Sequence, residues 1–284
     1  MKSFTTSTQL ISYADLVELP PNQYVLIDAR GGKDAFGRYL NGHLTGAFFA
    51  DLETDLSKEV SDASKGGRHP LPSQQDFASF LGSLSITPDT YVIIYDDSVG
   101  ANAAARLWWM LAMSGHKRVS VLDGGLQEAV KQGAVLNKDL PEEPEIETAS
   151  YPLADWLQYT ATITEVEKAS LDSSYLVVDV REAYRYLGES EPLDLVAGHI
   201  PGAENIPYFE NLSKGIFLSS ADLLLKYGPL IEKFTADKII IHCGSGVTAC
   251  HTILAMAEAG LPVPRLYVGS WGEWSRNDKP MLPR

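Results

Sequence analysis

Short apolar runs recur along the chain, separated by stretches with helical spacing. Val92-Ile93-Ile94-Tyr95 and Ile239-Ile240-Ile241 are unbroken runs of β-branched and aromatic residues, the pattern of strands buried on both faces. Leu26-Ile27 and Val177-Val178 begin two more such runs. Ala103 to Leu111 reads as a helix that stops before Gly115. Beyond Ile241, apolar residues fall at Cys250, Ile253, Leu254 and Ala257, the stripe of one helix face, and Gly260 supplies a stop. Strands alternating with helices predict an α/β architecture, a parallel sheet with helices on both faces. In open sheets of this kind, ligands bind beyond the carboxyl ends of the strands.

The ordered motifs occur twice. Leu26-Ile27-Asp28-Ala29-Arg30 is echoed by Val177-Val178-Asp179-Val180-Arg181, and Gly42-His43-Leu44-Thr45-Gly46-Ala47 by Gly198-His199-Ile200-Pro201-Gly202-Ala203. Val92-Ile93-Ile94-Tyr95-Asp96 is echoed by Lys238-Ile239-Ile240-Ile241-His242-Cys243, and Val121-Leu122-Asp123-Gly124-Gly125-Leu126 by Leu266-Tyr267-Val268-Gly269-Ser270-Trp271. One repetition of a long ordered unit is a duplicated domain, not a solenoid. Residues 1–136 are expected to form the first domain and residues 160–284 the second. The Pro- and Glu-rich stretch 137–159 lacks a clear period and reads as the linker. Arg30 and Arg181 recur beside Asp28 and Asp179, which points to structural ion pairs. His43 and His199 recur likewise and read as residues that orient loops.

The chain has 284 residues, 45% hydrophobic and 21% charged, enough apolar material for two cores. Its net charge of -14 argues against nucleic acid and anionic membranes as partners. No apolar run approaches the ~20 residues of a membrane span. Ser3-Phe4-Thr5-Thr6-Ser7-Thr8 is not the apolar run of a signal peptide. The two cysteines, Cys243 and Cys250, make no disulfide framework and suit a reducing compartment, so a cytoplasmic location is expected. They are too few for a zinc site of cysteines, and no His pair has ligand spacing, so no metal or organic cofactor is expected.

Cys243 falls at the carboxyl end of its apolar run, facing a helix N-terminus. Unpaired N–H groups and the helix dipole there favour a thiolate, which makes a nucleophile. Gly244, Ser245 and Gly246 let the loop curl with its N–H groups inward, a cradle for an anion or thiolate. The first copy has Asp96 at this position. A carboxylate there is not a thiol nucleophile. The chemistry is therefore assigned to the second half, and the first half to scaffold and cleft wall. Cys250, on the apolar stripe, reads as core packing, with a resolving thiol as the sharper alternative.

With Asp179-Val180-Arg181, the Gly198–Ala203 motif, Cys243-Gly244-Ser245-Gly246-Val247-Thr248 and Gly269-Ser270-Trp271-Gly272-Glu273-Trp274, the chain resembles the tandem-domain rhodanese sulfurtransferases over essentially its full length. The resemblance implies two tandem rhodanese-like α/β domains, the first non-catalytic. The Cys243 loop is similar to that of the 3-mercaptopyruvate sulfurtransferase branch, whereas thiosulfate-preferring relatives more often place charged residues after the cysteine. The implied reaction moves a sulfane sulfur from 3-mercaptopyruvate, through a Cys243 persulfide, to cyanide or a thiol acceptor such as thioredoxin or a small thiol.

The resemblance also implies site residues. Arg185 stands at the family's substrate-binding arginine, with Gly244, Gly246, Val247 and Thr248 completing the loop around the substrate. Ser245 and His69 match the serine and histidine of a Ser–His–Asp relay proposed for that branch. Its carboxylate position falls on Glu53, with Asp51 and Asp55 as alternatives. One departure stands out. The branch usually has a second substrate arginine nine residues after the first, and here that residue is Asp194. A carboxylate would repel the substrate carboxylate, so either another cation substitutes, with Arg68, Arg106 and Arg181 as candidates, or the loop is differently arranged, or the preferred donor is not 3-mercaptopyruvate. Trp271 and Trp274 are expected to cover the active-site edge or to pack against the linker.

Other functions are weighed on the same residues. Thiosulfate:cyanide sulfurtransfer would use the same cysteine. A non-catalytic binding module would have no need of it. A cysteine phosphatase needs an arginine six residues after the cysteine, and Ala249 stands there.

Overall fold

The computed structural model describes residues 8–142 and 151–283. Residues 3–7 of the Ser3–Thr8 segment read for a leader, and the middle of the expected linker, residues 143–150, lie outside the described residues. The chain divides into two compact units, Met1–Leu56 with Pro72–Asp155, and Ser57–Leu71 with Trp156–Arg284.

The first unit runs β1 (Leu10–Ile11), α1 (Tyr13–Val17), β2 (Val25–Arg30), α2 (Ala35–Asn41), β3 (His43–Leu44), β4 (Phe48–Asp51), α3 (Gln74–Ser83), β5 (Val92–Tyr95), α4 (Ala103–Met113), β6 (Val119–Leu122), α5 (Gly125–Lys131) and β7 (Leu136–Asn137). Its main sheet has the order β1-β6-β5-β2-β4, with every pair parallel. β5 is buried at every position, as its unbroken apolar run predicts for a strand covered on both faces. Leu26, Ile93, Tyr95 and Leu122 meet in one core cluster. Two stretches of the expected linker are ordered within this unit. β7 pairs with β3, and the buried Tyr151 hydroxyl meets His116 Nδ1 at 2.5 Å.

The second unit runs α6 (Ile163–Ala169), β8 (Leu176–Asp179), α7 (Ala183–Tyr186), β9 (Glu204–Asn205), β10 (Leu212–Ser213), β11 (Ile216–Phe217), α8 (Ser220–Lys233), β12 (Ile239–His242), α9 (Thr248–Glu258), β13 (Arg265–Leu266) and α10 (Ser270–Trp274). Its parallel sheet has the order β13-β12-β8-β9. β12, the strand that ends at the cysteine, is buried throughout. α9 stops as predicted. Gly260 takes φ 72°, and its N–H bonds Ala257 O while that of Leu261 bonds Met256 O, so the last carbonyls are satisfied.

The duplicated motifs build duplicated structure. Arg30 grips Asp28 with Nε and Nη2, both at 2.7 Å, and donates to Gly42 O. Arg181 does the same with Asp179 and Gly198 O. His43 stacks on Tyr39 and bonds its carbonyl, and His199 does so with Tyr186. These arginines and histidines therefore fix the loops after β2 and β8, as their recurrence predicts.

One segment departs from the simple division into halves. Ser57–Leu71 packs with the second unit. Gly66 N–H bonds Glu273 Oε1 at 2.8 Å, and Asn277 Nδ2 bonds Ser64 O at 2.9 Å. Gly67, at φ 82°, lies so close to Gly269 that a Cβ would sit 2.4 Å from its carbonyl oxygen. Arg68 and His69 are thereby carried into the unit that holds Cys243.

Candidate active site

β12 delivers Cys243 to its carboxyl end, and residues Gly244–Val247 turn the chain into α9. The turn needs Gly246. It takes φ 72°, and a Cβ there would lie 2.4 Å from Val268 O. Cys243 is 1% exposed. The N–H groups of Ser245, Val247 and Thr248 have no hydrogen-bond partner among the described residues. They are orphan donors at a helix start beside the sulfur, a ready anion site.

The first unit shows what that loop accepts. Asp96, at the same place in the repeat, is 1% exposed, and its carboxylate receives the N–H groups of Ser98, Gly100, Asn102 and Ala104 at 2.7–3.2 Å. Burial pushes its pKa up to about 6 against these four bonds, all of which favour the carboxylate form. The first loop carries its own anion. The second replaces it with a thiol and leaves the donors open.

A neighbouring loop closes over the cysteine. Trp271 N–H bonds Cys243 O at 3.0 Å and Gly272 N–H bonds Gly244 O at 2.8 Å. The equivalent bond in the first unit joins Leu126 N–H to Asp96 O. There the preceding residue is Gly125 at φ 58°, and here it is Ser270 at φ 55°. A left-handed conformation suits glycine and strains serine. The hydroxyl gained in exchange accepts from Cys243 N–H at 3.1 Å and lies 4.0 Å from Sγ.

Guanidinium groups surround the other side. A Cβ on Gly244 would lie 3.1 Å from Arg68 Nη2, 3.2 Å from Arg185 Nη2 and 3.4 Å from Asp194 Oδ2. Arg185 is held bidentately by Glu191, at 3.1 and 2.7 Å. Burial opposes its charge. The bonds to Glu191, aided by Glu182 and Cys243, outweigh burial and hold its pKa above the ordinary guanidinium value. The equivalent arginine of the first unit, Arg38, is closed by Asp97, the residue after Asp96, at 2.7 Å. With Gly244 in place of that aspartate, the loop residue beside Arg185 brings no carboxylate of its own.

The Asp194 side chain is fully buried and does not stand bare. Arg68 Nε binds its Oδ1 at 3.0 Å, Arg276 Nη1 binds Oδ1 at 2.9 Å, and Arg185 Nη2 lies 3.6 Å from Oδ2. Of the candidate replacement cations in the second unit, Arg68 reaches the loop. Arg181 is committed to Asp179 and Glu191, and Arg106 is buried in α4 of the first unit, donating to Leu56 O at 3.4 Å.

The remaining sequence-derived residues divide. Ser245 is 7% exposed, and its hydroxyl makes no hydrogen bond among the described residues, so it is not bonded to His69. His69 is half-buried in the 57–71 segment. Glu53 belongs to the first unit, exposed in the turn after β4, where its N–H bonds Asp51 Oδ1. Cys250 is buried in α9 with its sulfur 3.4 Å from Gly246 O, and no disulfide joins it to Cys243. Trp271 and Trp274 take neither expected position. Both are core residues, packed with Val177, Ile240 and Tyr267, and Arg181 lies 4.8 Å over the Trp271 ring. Sequence reading missed Ser270 and Arg276. The repeat carried a signal for Ser270, since it aligns with Gly125, but Arg276 has no counterpart to mark it. No helix among the described residues is long and apolar enough to cross a membrane, and no cluster of metal-ligating side chains occurs among them.

The chain is similar to known proteins. The model of the rhodanese-like domain matches residues 12–132 and again 162–277. A probable 3-mercaptopyruvate sulfurtransferase of Pseudomonas aeruginosa is 41% identical over 239 residues, covering 83% of this chain and 82% of the relative. The thiosulfate sulfurtransferase of Mus musculus is 34% identical over 254 residues, covering 88% and 83%. Among solved structures, the 3-mercaptopyruvate sulfotransferase of Escherichia coli aligns with a TM-score of 0.74 at 32% identity, over 93% of this chain and 99% of that one.

Proposed function

The chain belongs to the rhodanese family of sulfurtransferases, and on that premise we propose that it moves sulfur from 3-mercaptopyruvate to a thiol or cyanide through a persulfide on Cys243. The observation that carries this reading is the open set of N–H donors at Ser245, Val247 and Thr248; in the loop of the first unit the N–H groups of Ser98 and Gly100 are occupied by the Asp96 carboxylate. An anionic sulfur on Cys243 fits the same donors.

In the first half-reaction the Cys243 thiolate attacks the donor sulfur. A sulfur–sulfur bond forms, the carbon–sulfur bond breaks, and its electron pair leaves on carbon as the enolate of pyruvate. One proton converts the enolate to pyruvate. The loop amides stabilise the sulfur anion, and the Ser270 hydroxyl, which donates to Tyr267 O at 2.9 Å, holds the Cys243 N–H at 3.1 Å. Arg185 and Arg68 face the position of the donor carboxylate beside Gly244, where guanidinium forks suit a carboxylate. Ser245 and His69 are assigned to deliver the proton to the enolate. In the second half-reaction an acceptor thiolate or cyanide attacks the outer persulfide sulfur, and the Cys243 thiolate leaves.

Thiosulfate is the second donor to consider, because relatives at 34% identity carry that name. The loop favours 3-mercaptopyruvate, since Gly244 and Gly246 bring no cation of their own to a dianion. Side-by-side kcat/KM values decide between the two. A preference for 3-mercaptopyruvate that falls at least tenfold in Arg185→Ala is expected; a preference for thiosulfate would overturn the donor assignment.

A further inference from the structure

The residue before the cysteine makes a bond that the first unit does without. His242 is the last residue of β12, and it is fully buried. Its Nδ1 lies 3.2 Å from the backbone carbonyl oxygen of Cys243. A carbonyl only accepts, so this bond needs the proton on Nδ1. Burial holds the pKa of the ring below the ordinary 6.5, against the pull of Asp179 and of that carbonyl, so at neutral pH the ring has one proton to place. Nε2 makes no hydrogen bond among the described residues. Asp179 Oδ2 is 3.9 Å from it and already receives Arg181 Nη2 at 2.6 Å. A ring nitrogen buried without a partner is a cost that an apolar side chain at the strand end would avoid.

The repeat shows what the bond is for. In the first unit Tyr95 stands at this position, and its hydroxyl accepts from Leu44 N–H at 2.9 Å, which commits it to β3. Asp96 O takes the N–H of Leu126 at 2.9 Å. That loop is organised from within, since the Asp96 carboxylate gathers four N–H groups. The second loop has no anion of its own until the thiol ionises, so it is held from outside. Trp271 N–H and His242 Nδ1–H meet on Cys243 O, and Gly272 N–H binds Gly244 O. In a trans peptide the N–H points opposite to the C=O. Two successive carbonyls that face α10 therefore turn two successive N–H groups, those of Gly244 and Ser245, to the other side. Successive N–H groups on one side are the arrangement of an anion nest.

Resting on the reading of Cys243 as the sulfur carrier, we propose that His242 is a positioning residue for sulfur transfer. Its Nδ1–H fixes the first peptide of the Cys243 loop, so that the loop N–H groups are set for a sulfur anion before one forms. It acts through the Cys243 carbonyl.

Two amide substitutions separate the ring nitrogens. The side-chain amide of asparagine reaches the place of Nδ1, and that of glutamine the place of Nε2. Alkylation by iodoacetamide, followed on the Cys243 peptide by mass spectrometry, reads the thiolate and needs no sulfur donor. In His242→Gln and His242→Leu its rate at pH 7 should fall about tenfold, and the deficit should close at high pH, where the thiol is ionised in every variant. His242→Asn should stay within about threefold of the wild type. Persulfide formation from 3-mercaptopyruvate should follow the same order, through kcat with KM little changed. Equal rates in His242→Asn and His242→Gln, recovery by His242→Gln but not by His242→Asn, or a deficit that persists at high pH overturns the proposal. If the variants do not fold, the ring-nitrogen NMR resonances of His242 in the wild type decide. A protonated Nδ1 at neutral pH is expected, and a protonated Nε2 overturns the proposal. Wild-type protein that forms no persulfide would refute the sulfur-transfer reading, whereas wild-type persulfide formation with alkylation unmoved in His242→Gln refutes only this inference.

Discussion

The Ser270 hydroxyl accepts a hydrogen bond from the backbone N–H of Cys243 at 3.1 Å and lies 4.0 Å from its sulfur. It reaches that position only because Ser270 holds φ 55°, a conformation costing a non-glycine residue about 1 kcal/mol. The aligned Gly125 of the first unit takes the same conformation without that cost.

Strain and chemistry at Ser270 can be separated by two substitutions. Ser270→Gly relieves the strain and removes the hydroxyl, whereas Ser270→Ala removes the hydroxyl alone. The glycine variant is expected to be more stable than the alanine variant by about 1 kcal/mol in denaturant titration. Both are expected to form the persulfide at least tenfold more slowly. A glycine variant that loads sulfur at the wild-type rate would remove the hydroxyl from the mechanism.

Asp96 supplies a prediction for the first unit. Asp96→Ala strands the N–H groups of Gly100 and Ala104, both buried, together with the half-buried pair at Ser98 and Asn102. At roughly 1–3 kcal/mol for each buried orphan, a loss of about 2–6 kcal/mol in unfolding free energy is expected. Cys243 is still expected to load sulfur at a temperature where the variant is folded. A loss below 0.5 kcal/mol would mean that the carboxylate is not the partner those amides require.

The buried His251 makes stability depend on pH. Burial, with Lys226 adding, lowers its pKa to about 3 from the ordinary 6.5, so the folded state holds it neutral while the unfolded chain takes up a proton below pH 6.5. Its contribution is complete above pH 6.5 and is lost as pH falls toward 3. Between pH 7 and pH 5 the loss is about 2 kcal/mol. His251→Gln, which cannot titrate, should lose correspondingly less over that interval. Parallel pH profiles for the two proteins would show that His251 does not carry the effect.

The fold is legible in the sequence because both its periodicities are strong. Ile239–Ile241 and Val92–Tyr95 read as buried strands, and the repeat by itself sets Cys243 opposite Asp96. The separation of Ser57–Leu71 from the first unit is not legible. That segment has no apolar period, and backbone contacts at Gly66 and Gly67 hold it. Asp194 is visible as a departure, but not as a hub, because Arg68 and Arg276 lie 126 and 82 residues from it in sequence. Trp271 and Trp274 read as edge residues because their neighbours belong to the loop. Their own rings, however, fill the core beneath it.

The central claim is that Cys243 carries the transferred sulfur. Intact-protein mass spectrometry after incubation with 3-mercaptopyruvate, with pyruvate assayed in the same sample, tests it most directly. The expected result is a gain of one sulfur atom per chain with one equivalent of pyruvate released. Cyanide or dithiothreitol should remove that sulfur, and Cys243→Ser should show no gain while Cys250→Ser still gains it. Pyruvate release without a sulfur adduct, or an adduct that persists in Cys243→Ser, would contradict the account.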